Sequence, residues 1–308
     1  MIRLALRVPR EQAELVLAEL LELAPDGVEE VALDGGAVEY AVYGAPGELP
    51  SLPALHATPA GAPVEVRSAE VPDDWSARWK RFHRPILLEP LPGGAHPVPA
   101  LHIRPPWEPA RARGAGQWPR AGVEEIVIDP AQAFGTGAHA TTRLCLELLQ
   151  RAAARGPLGP AVDLGCGSGV LAIAAARLGA TPVLALDNDP HSVEATTRNA
   201  AVNRATIEVR RFDLRHERVP ALAGEGEGEG EGEGEGEGEG VLLANLLRPL
   251  LLELAPRVAT RPAHLIAGGL LAEEAEPVAA RLCEFLDLVE LERPRLGEWS
   301  ALWLAAHP

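Results

Sequence analysis

The chain opens on an alternation. Ile2, Leu4, Leu6 and Val8 are separated by Arg3, Ala5 and Arg7, the period of a half-buried strand. Glu11 to Leu23 then reads as a helix with Leu17, Leu20 and Leu21 on its apolar side. Val28 to Leu33 and Val38 to Tyr43 are predicted strands, and Asp34-Gly35-Gly36 between them is a hairpin turn signal. After a poorly defined segment around Leu49 to His56, Val64 and Val66 belong to a further strand. This order predicts a small ferredoxin-like α+β domain over residues 1–70. Asp73 to Arg84 (DDWSARWKRFHR) reads as an amphipathic helical linker within residues 71–85, able to rest Trp75 and Trp79 on a neighbouring domain.

From residue 86 onward the pattern changes. Short strands broken by prolines run from Ile86 to Asp129, and strands and helices then alternate. Helices are predicted at Thr142–Arg155, Gly169–Leu178, His191–Asn203, Pro249–Val258 and Glu273–Phe285. Strands are predicted at Ala161–Leu164, Pro182–Leu186, Ile207–Arg211, Val241–Ala244, His264–Ala267, Leu286–Leu291 and Ser300–Ala305. Apolar strands alternating with helices imply a mostly parallel sheet covered on both faces, and the two final strands suggest an antiparallel closing pair. Residues 86–308 are therefore expected to form a doubly wound, Rossmann-like α/β domain of seven strands.

Composition narrows the picture. The chain has 308 residues and a formal net charge of −16, half of it from eight glutamates in the Glu-Gly run from Glu225 to Gly240. Alternating glycine and like charges cannot build a core, so residues 224–240 are expected to form a tolerated disordered insertion. An acidic surface disfavours a direct grip on nucleic acid and favours a basic protein partner. The apolar stretches are interrupted by polar residues, so no membrane span is expected. The opening MIRLALRVPR does not read as a signal peptide. Cys145, Cys166 and Cys283 have neither disulfide nor metal-ligand spacing, which suits a reducing cytoplasm and no bound metal.

The strongest chemical signal is Val162-Asp163-Leu164-Gly165-Cys166-Gly167-Ser168-Gly169, a strand running into a glycine turn that opens a helix. Asp187 lies 22 residues after Gly165 at the end of the next strand, where a carboxylate can accept both ribose hydroxyls of an adenosine. A dinucleotide fingerprint starting at Gly165 needs glycine at position 170, which is Val170. Asp163 suits a cationic methionine amino group better than a pyrophosphate. Together these favour S-adenosylmethionine over a nicotinamide cofactor. Asp189-Pro190 reads as a helix cap followed by proline at the first helical position, and Asp213 is a candidate acceptor for the adenine amino group. A second signal runs from Asp129 to Thr142 (DPAQAFGTGAHATT), a glycine- and hydroxyl-rich loop entering a helix; it reads as a polar lid, with Thr141 as the alternative helix cap.

The segments FGTGAHATT, DLGCGSG, LDNDP and LLANLLRPL, with the connector DDWSARWKRFHRP and the terminal Gly297-Glu298-Trp299, resemble the bacterial PrmA family. Its members methylate ribosomal protein L-eleven of the large subunit. The resemblance implies trimethylation of lysine side chains and of the N-terminal α-amine, with S-adenosylmethionine as donor and the N-terminal domain holding the ribosomal protein. It carries cofactor contacts to Thr142, Gly165, Asp187 and Asn245; the reading of the residues themselves adds Gly167, Asp163 and Asp213 as cofactor-binding candidates. It places Phe134, Gly135, Thr136 and His139 in the loop that closes on the cofactor. Asn245 and His139 are the catalytic candidates, Asn245 as an uncharged acceptor that orients either the substrate amine or the methionine part of the cofactor. The chain departs from the family pattern at Ala138, at Ala140 and at Ala267-Gly268-Gly269-Leu270. Three alternatives stay open: methylation of another protein or a small amine, a nicotinamide oxidoreductase, and a non-catalytic ribosome-assembly factor. The enzyme is expected to be a cytoplasmic monomer.

Overall fold

The computed structural model describes residues 2–9, 16, 29–33, 37–44, 65–70, 84–91, 97–110, 122–129, 139–222 and 240–307. The chain divides into two compact units, Met1–Phe82 and His83–Pro308, each taken by itself below.

In the first unit β1 (Ile2–Pro9), β2 (Glu29–Leu33), β3 (Ala37–Gly44) and β4 (Glu65–Glu70) form one antiparallel sheet in the order β2-β3-β1-β4. The apolar positions of the opening alternation are buried as expected, but so is Ala5 between them, so the strand is covered on more than the one face that alternation predicts. Leu4, Leu6 and Val8 are buried beside Val38, Tyr40 and Val42 of β3. Arg7 stands directly opposite Glu39, and its Nε donates to Oε2 at 2.5 Å, which pairs a largely buried carboxylate. The helix expected at Glu11–Leu23, the turn at Asp34–Gly36 and the segment Leu49–His56 lie outside the described residues, apart from Val16, which is helical. The connector Asp73–Arg84 also lies outside them, except for Arg84.

The second unit begins with a three-stranded sheet of β5 (Ile86–Leu88), β6 (Ala100–Arg104) and β7 (Val123–Val127). The main sheet follows. Its elements are α1 (Ala140–Arg155), β8 (Ala161–Leu164), α2 (Val170–Arg177), β9 (Val183–Asp187), α3 (Pro190–Asn203), β10 (Glu208–Arg211), β11 (Val241–Asn245), α4 (Arg248–Leu254), β12 (His264–Leu271), α5 (Ala275–Leu286), β13 (Leu288–Glu292), β14 (Arg295–Leu296) and β15 (Trp299–Ala306). The strand order is β10-β9-β8-β11-β12-β15-β13, with β14 paired to β15. Strands β10 to β12 run parallel, and β15 runs antiparallel to both of its neighbours.

The elements differ from the sequence expectation where local chemistry intervenes. The helix expected to reach Val258 stops at Leu254 and tightens into a 3₁₀ turn over Ala255–Arg257, because Pro256 has no N–H to continue the ladder. The strand expected to end at Ala267 continues to Leu271 through a register shift, where Gly269 takes φ +82°. Strand β13 starts at Leu288 rather than Leu286, since α5 runs on and Asp287 reverses the chain at φ 51°. The short β14 was not expected.

Both faces of the main sheet are covered. Ala161, Val183, Ala185, Val241, Leu243, Ile266 and Trp303 pack with α1 and α2 on one side. Val162, Leu164, Leu186, Leu242, Ala244, Leu265, Leu302 and Leu304 pack with α4 and α5 on the other. Alternation therefore assigns Asp163, Asp187 and Asn245 to the first face, the side of α1 and α2. Amide side chains lock β7 to α3. Asn203 exchanges hydrogen bonds with the Val127 backbone at 2.8 and 2.7 Å, and Asn199 Oδ1 accepts from Asp129 N at 3.0 Å. The chain thus enters the segment after Asp129 from a fixed point. Among the described residues no helix is long and apolar enough to cross a membrane.

Candidate cofactor and active site

After β8 the chain winds outward through β9 and β10, then crosses back to place β11 on the other side of β8. Such a reversal leaves a crevice at the carboxyl ends of the strands. An open cleft lies there, lined by Leu164, Gly165, Asp187, Phe212, Asp213 and Leu246, among others. Gly240, where the Glu-Gly run ends, sits at the opposite end of β11; the run itself lies outside the described residues.

The glycine turn is built for close approach. Gly165 has φ +67°, and a Cβ there would collide with the Leu246 side chain. Gly169, at φ +81°, caps α2, and a Cβ would stand 2.8 Å from Thr196 Cγ2. Thr196 Oγ1 donates to Gly167 O at 2.9 Å and Asn199 Nδ2 to Ser168 O at 2.8 Å, so α3 fixes the turn from behind.

Asp187 ends β9 and is 9% exposed. Its Oδ2 accepts from Gly167 N at 2.9 Å and its Oδ1 from Asp189 N at 3.0 Å. Burial raises its pKa, while the Asp189 and Gly167 amides act in the opposite direction. Each oxygen keeps a further lone pair for a ligand hydroxyl. Asp189 caps α3 by accepting from His191 N at 3.0 Å, with Pro190 at the first helical position. Asp213 reaches the cleft rim in a local turn, accepting from Arg215 N at 2.9 Å with His216 Nδ1 2.7 Å away. The His216 contact is the main reason its pKa is lowered.

Asp163 is placed differently from a direct cofactor contact. It is 1% exposed, absent from the cleft lining, and its Oδ2 accepts from Ala172 N at 3.0 Å in the first turn of α2. Oδ1 has no partner among the described residues. Burial, opposed by the Ala172 amide and reinforced by Asp187, pushes its carboxyl up to about 7. A carboxyl whose pKa is raised on folding opposes folding when it ionises. Its contribution is most favourable below about pH 4, declines as pH rises to about 7, and is level above that. Asp163→Asn is expected to remove this decline when denaturant unfolding of the two proteins is compared between pH 4 and 8. Parallel profiles would show that Asp163 ionises normally.

His139, a catalytic candidate, is the N-cap of α1 in place of Thr141. Its Nδ1 accepts from Thr141 N at 3.4 Å and lies 2.9 Å from Thr141 Oγ1, and its ring meets Trp299 edge-on at 4.8 Å. Burial lowers its pKa. It does not line the cleft. Thr142 is buried, and its Oγ1 accepts from Asn245 Nδ2 at 3.2 Å; Asn245 Oδ1 is buried with no partner among the described residues. Phe134, Gly135 and Thr136 lie outside the described residues. Sequence reading did not anticipate that Cys145 Sγ and Asn245 Oδ1 both crowd the point where a Cβ on Gly268 would stand. Among the described residues no group of three potential ligands could hold a metal.

The family model described as Ribosomal protein L11 methyltransferase (PrmA) matches residues 63–306. The chain belongs to this family. Its members are S-adenosylmethionine-dependent methyltransferases, and that cofactor serves this chain. A family member from Pelobacter propionicus is 37% identical over 249 residues, 78% of this chain and 69% of the relative. Another, from Chloroflexus aurantiacus, is 36% identical over 253 residues, 78% of this chain and 71% of the relative. Both are named ribosomal protein L11 methyltransferase. The crystal structure of ribosomal protein L11 methylase from Lactobacillus delbrueckii subsp. bulgaricus superposes with a TM-score of 0.51 at 27% identity, covering 71% of this chain and 99% of that one. The mixed sheet is thus the methyltransferase fold of the PrmA family.

Proposed function

We propose that the protein transfers methyl groups from S-adenosylmethionine to lysine side chains and the N-terminal α-amine of ribosomal protein L11. The observation that carries the reading is Asp187, held by two backbone amides at the floor of the cleft, one strand away from the glycine turn. A carboxylate so placed suits a ribose. The bare Gly165 makes room for the Leu246 side chain at the wall of the cleft, and the buried carboxyl of Asp163, when ionised, favours positive charge nearby. When bound, the cofactor supplies an electrophilic methyl on a sulfonium, so metal assistance is unnecessary.

The work left to the protein is to orient the amine and keep it neutral. A lysine with pKa about 10.4 is roughly 0.1% neutral near pH 7.4, equivalent to about 4 kcal/mol, whereas an α-amine near 7.8 loses only about 0.7 kcal/mol. Asn245 Oδ1 can accept from an amine N–H without the negative charge that would stabilise ammonium. Turnover at lysine is therefore expected to rise about tenfold per pH unit between pH 7 and 9, while turnover at the α-amine levels off above about pH 8. Mass spectrometry of recombinant L11 methylated at each pH checks this, and a flat lysine profile would point to a deprotonating group in the protein.

The antiparallel order β2-β3-β1-β4 supports reading residues 1–70 as a ferredoxin-like module that recruits the ribosomal protein, ahead of a linker and a catalytic domain whose main sheet has eight strands rather than the seven expected. The net charge of −16 suits a basic protein substrate better than RNA. Purified enzyme, L11 and labelled cofactor test the whole reading. Methylation of L11 supports it, and cofactor binding without transfer to L11 overturns it.

A further inference from the structure

Asn245 sits in a seat made by two other elements. Its strand partner on β12 is Gly268, and Leu246 N donates to Gly268 O at 3.2 Å, which fixes the backbone on that side. From the other side α1 brings up Thr142 and Cys145, three residues apart and so on one helix face. Thr142 Oγ1 takes the Asn245 Nδ2 hydrogen. A Cβ on Gly268 would stand 2.5 Å from Cys145 Sγ and 2.8 Å from Asn245 Oδ1, both closer than real Cβ contacts. Gly268 is not among the residues with positive φ, whereas its neighbour Gly269 is. Space, rather than backbone conformation, requires glycine at 268. Cys145 is fully buried, and burial raises its pKa, so the thiol stays protonated and fills volume without adding charge.

We propose that Cys145 and Gly268 are positioning residues for Asn245: together they leave one slot that fixes the rotation of its carboxamide and the direction of Oδ1. The hydrogen bond from Nδ2 to Thr142 Oγ1 ties down one end of the carboxamide; the missing Cβ at 268, beside the thiol, leaves the space in which Oδ1 sits at the other. The inference rests on the role given to Asn245 above and adds the residues through which that role is enforced.

Gly268→Ala is expected to lower kcat on L11 tenfold or more with little change in KM for L11. Cys145→Ala/Gly268→Ala, which removes the crowded sulfur, is expected to recover part of the loss. The deciding measurement is a cycle with Asn245→Ala, reading both turnover and S-adenosylmethionine affinity by calorimetry. With Asn245 gone, adding the methyl at 268 should change either quantity less than twofold. An equal loss in both backgrounds overturns the proposal, because the methyl then acts on β12 itself. If Gly268→Ala does not fold, the variant that also lacks the thiol carries the same comparison; if neither folds, glycine is needed for the fold and the proposal fails. Failure of the Asn245 assignment is visible separately, as wild-type affinity and turnover in Asn245→Ala alone.

Discussion

Asp187→Ala is expected to weaken S-adenosylmethionine binding by roughly a hundredfold or more. The carboxylate is largely buried at the cleft floor and already oriented by the amides of Gly167 and Asp189. A ligand hydroxyl therefore meets an acceptor that needs no further ordering. Hydrogen bonds to a charged group contribute about 1.5–3 kcal/mol each, and about 1.4 kcal/mol is tenfold in affinity, so loss of two reaches the stated range. The substitution also strips both amides of their acceptor, so a modest loss of thermal stability should accompany it. Asp187→Asn, which keeps the volume and one acceptor oxygen, should fall between. Calorimetric titration with the cofactor checks the series. Unchanged affinity in the alanine variant would mean that the nucleoside lies elsewhere.

Trp303→Ala is expected to destabilise the second unit by about 3–5 kcal/mol. The indole is 1% exposed and is among the largest fully buried side chains. The Arg155 guanidinium lies 4.5 Å above its ring, His264 approaches edge-on at 5.7 Å, and the indole Nε1 donates to His264 Nδ1 at 3.4 Å. Truncation would open a cavity between β15 and α1 that these neighbours could not fill. Trp303→Phe keeps most of the apolar volume and should lose much less. Denaturant unfolding gives both values, and an alanine variant within about 1 kcal/mol of wild type would show that the core closes over the gap.

Much of the second unit was legible because its strands are buried on both faces and its helices punctuated by glycine, proline and cap residues. The glycine turn and Asp187 stood out for the same reason: a strand, a turn and a carboxylate at the next strand end form a local pattern. Asp189-Pro190 announced its helix by chemistry confined to three residues. Other features are not local. Alternation could have placed Asp163, Asp187 and Asn245 on one face, yet only the packing of α2 shows Asp163 taking the Ala172 amide in the interior. His139 displaced Thr141 as the cap because a histidine ring can imitate a short polar side chain at that position, a substitution the usual cap preferences do not suggest. The crowding at Gly268 depends on the β11–β12 register and on a helix more than a hundred residues earlier. No single stretch of sequence contains it.

Strand β15 has one more consequence. It follows β13 in the chain yet lies between β12 and β13, so β13 reaches the main sheet only through it. A polypeptide released before residue 299 would leave β13 without a neighbour and the flank of β12 bare, an open edge able to pair with other chains. Synthesis of the second unit thus keeps its own checkpoint: until Leu302, Trp303 and Leu304 have been delivered, the barrier against aggregation is missing.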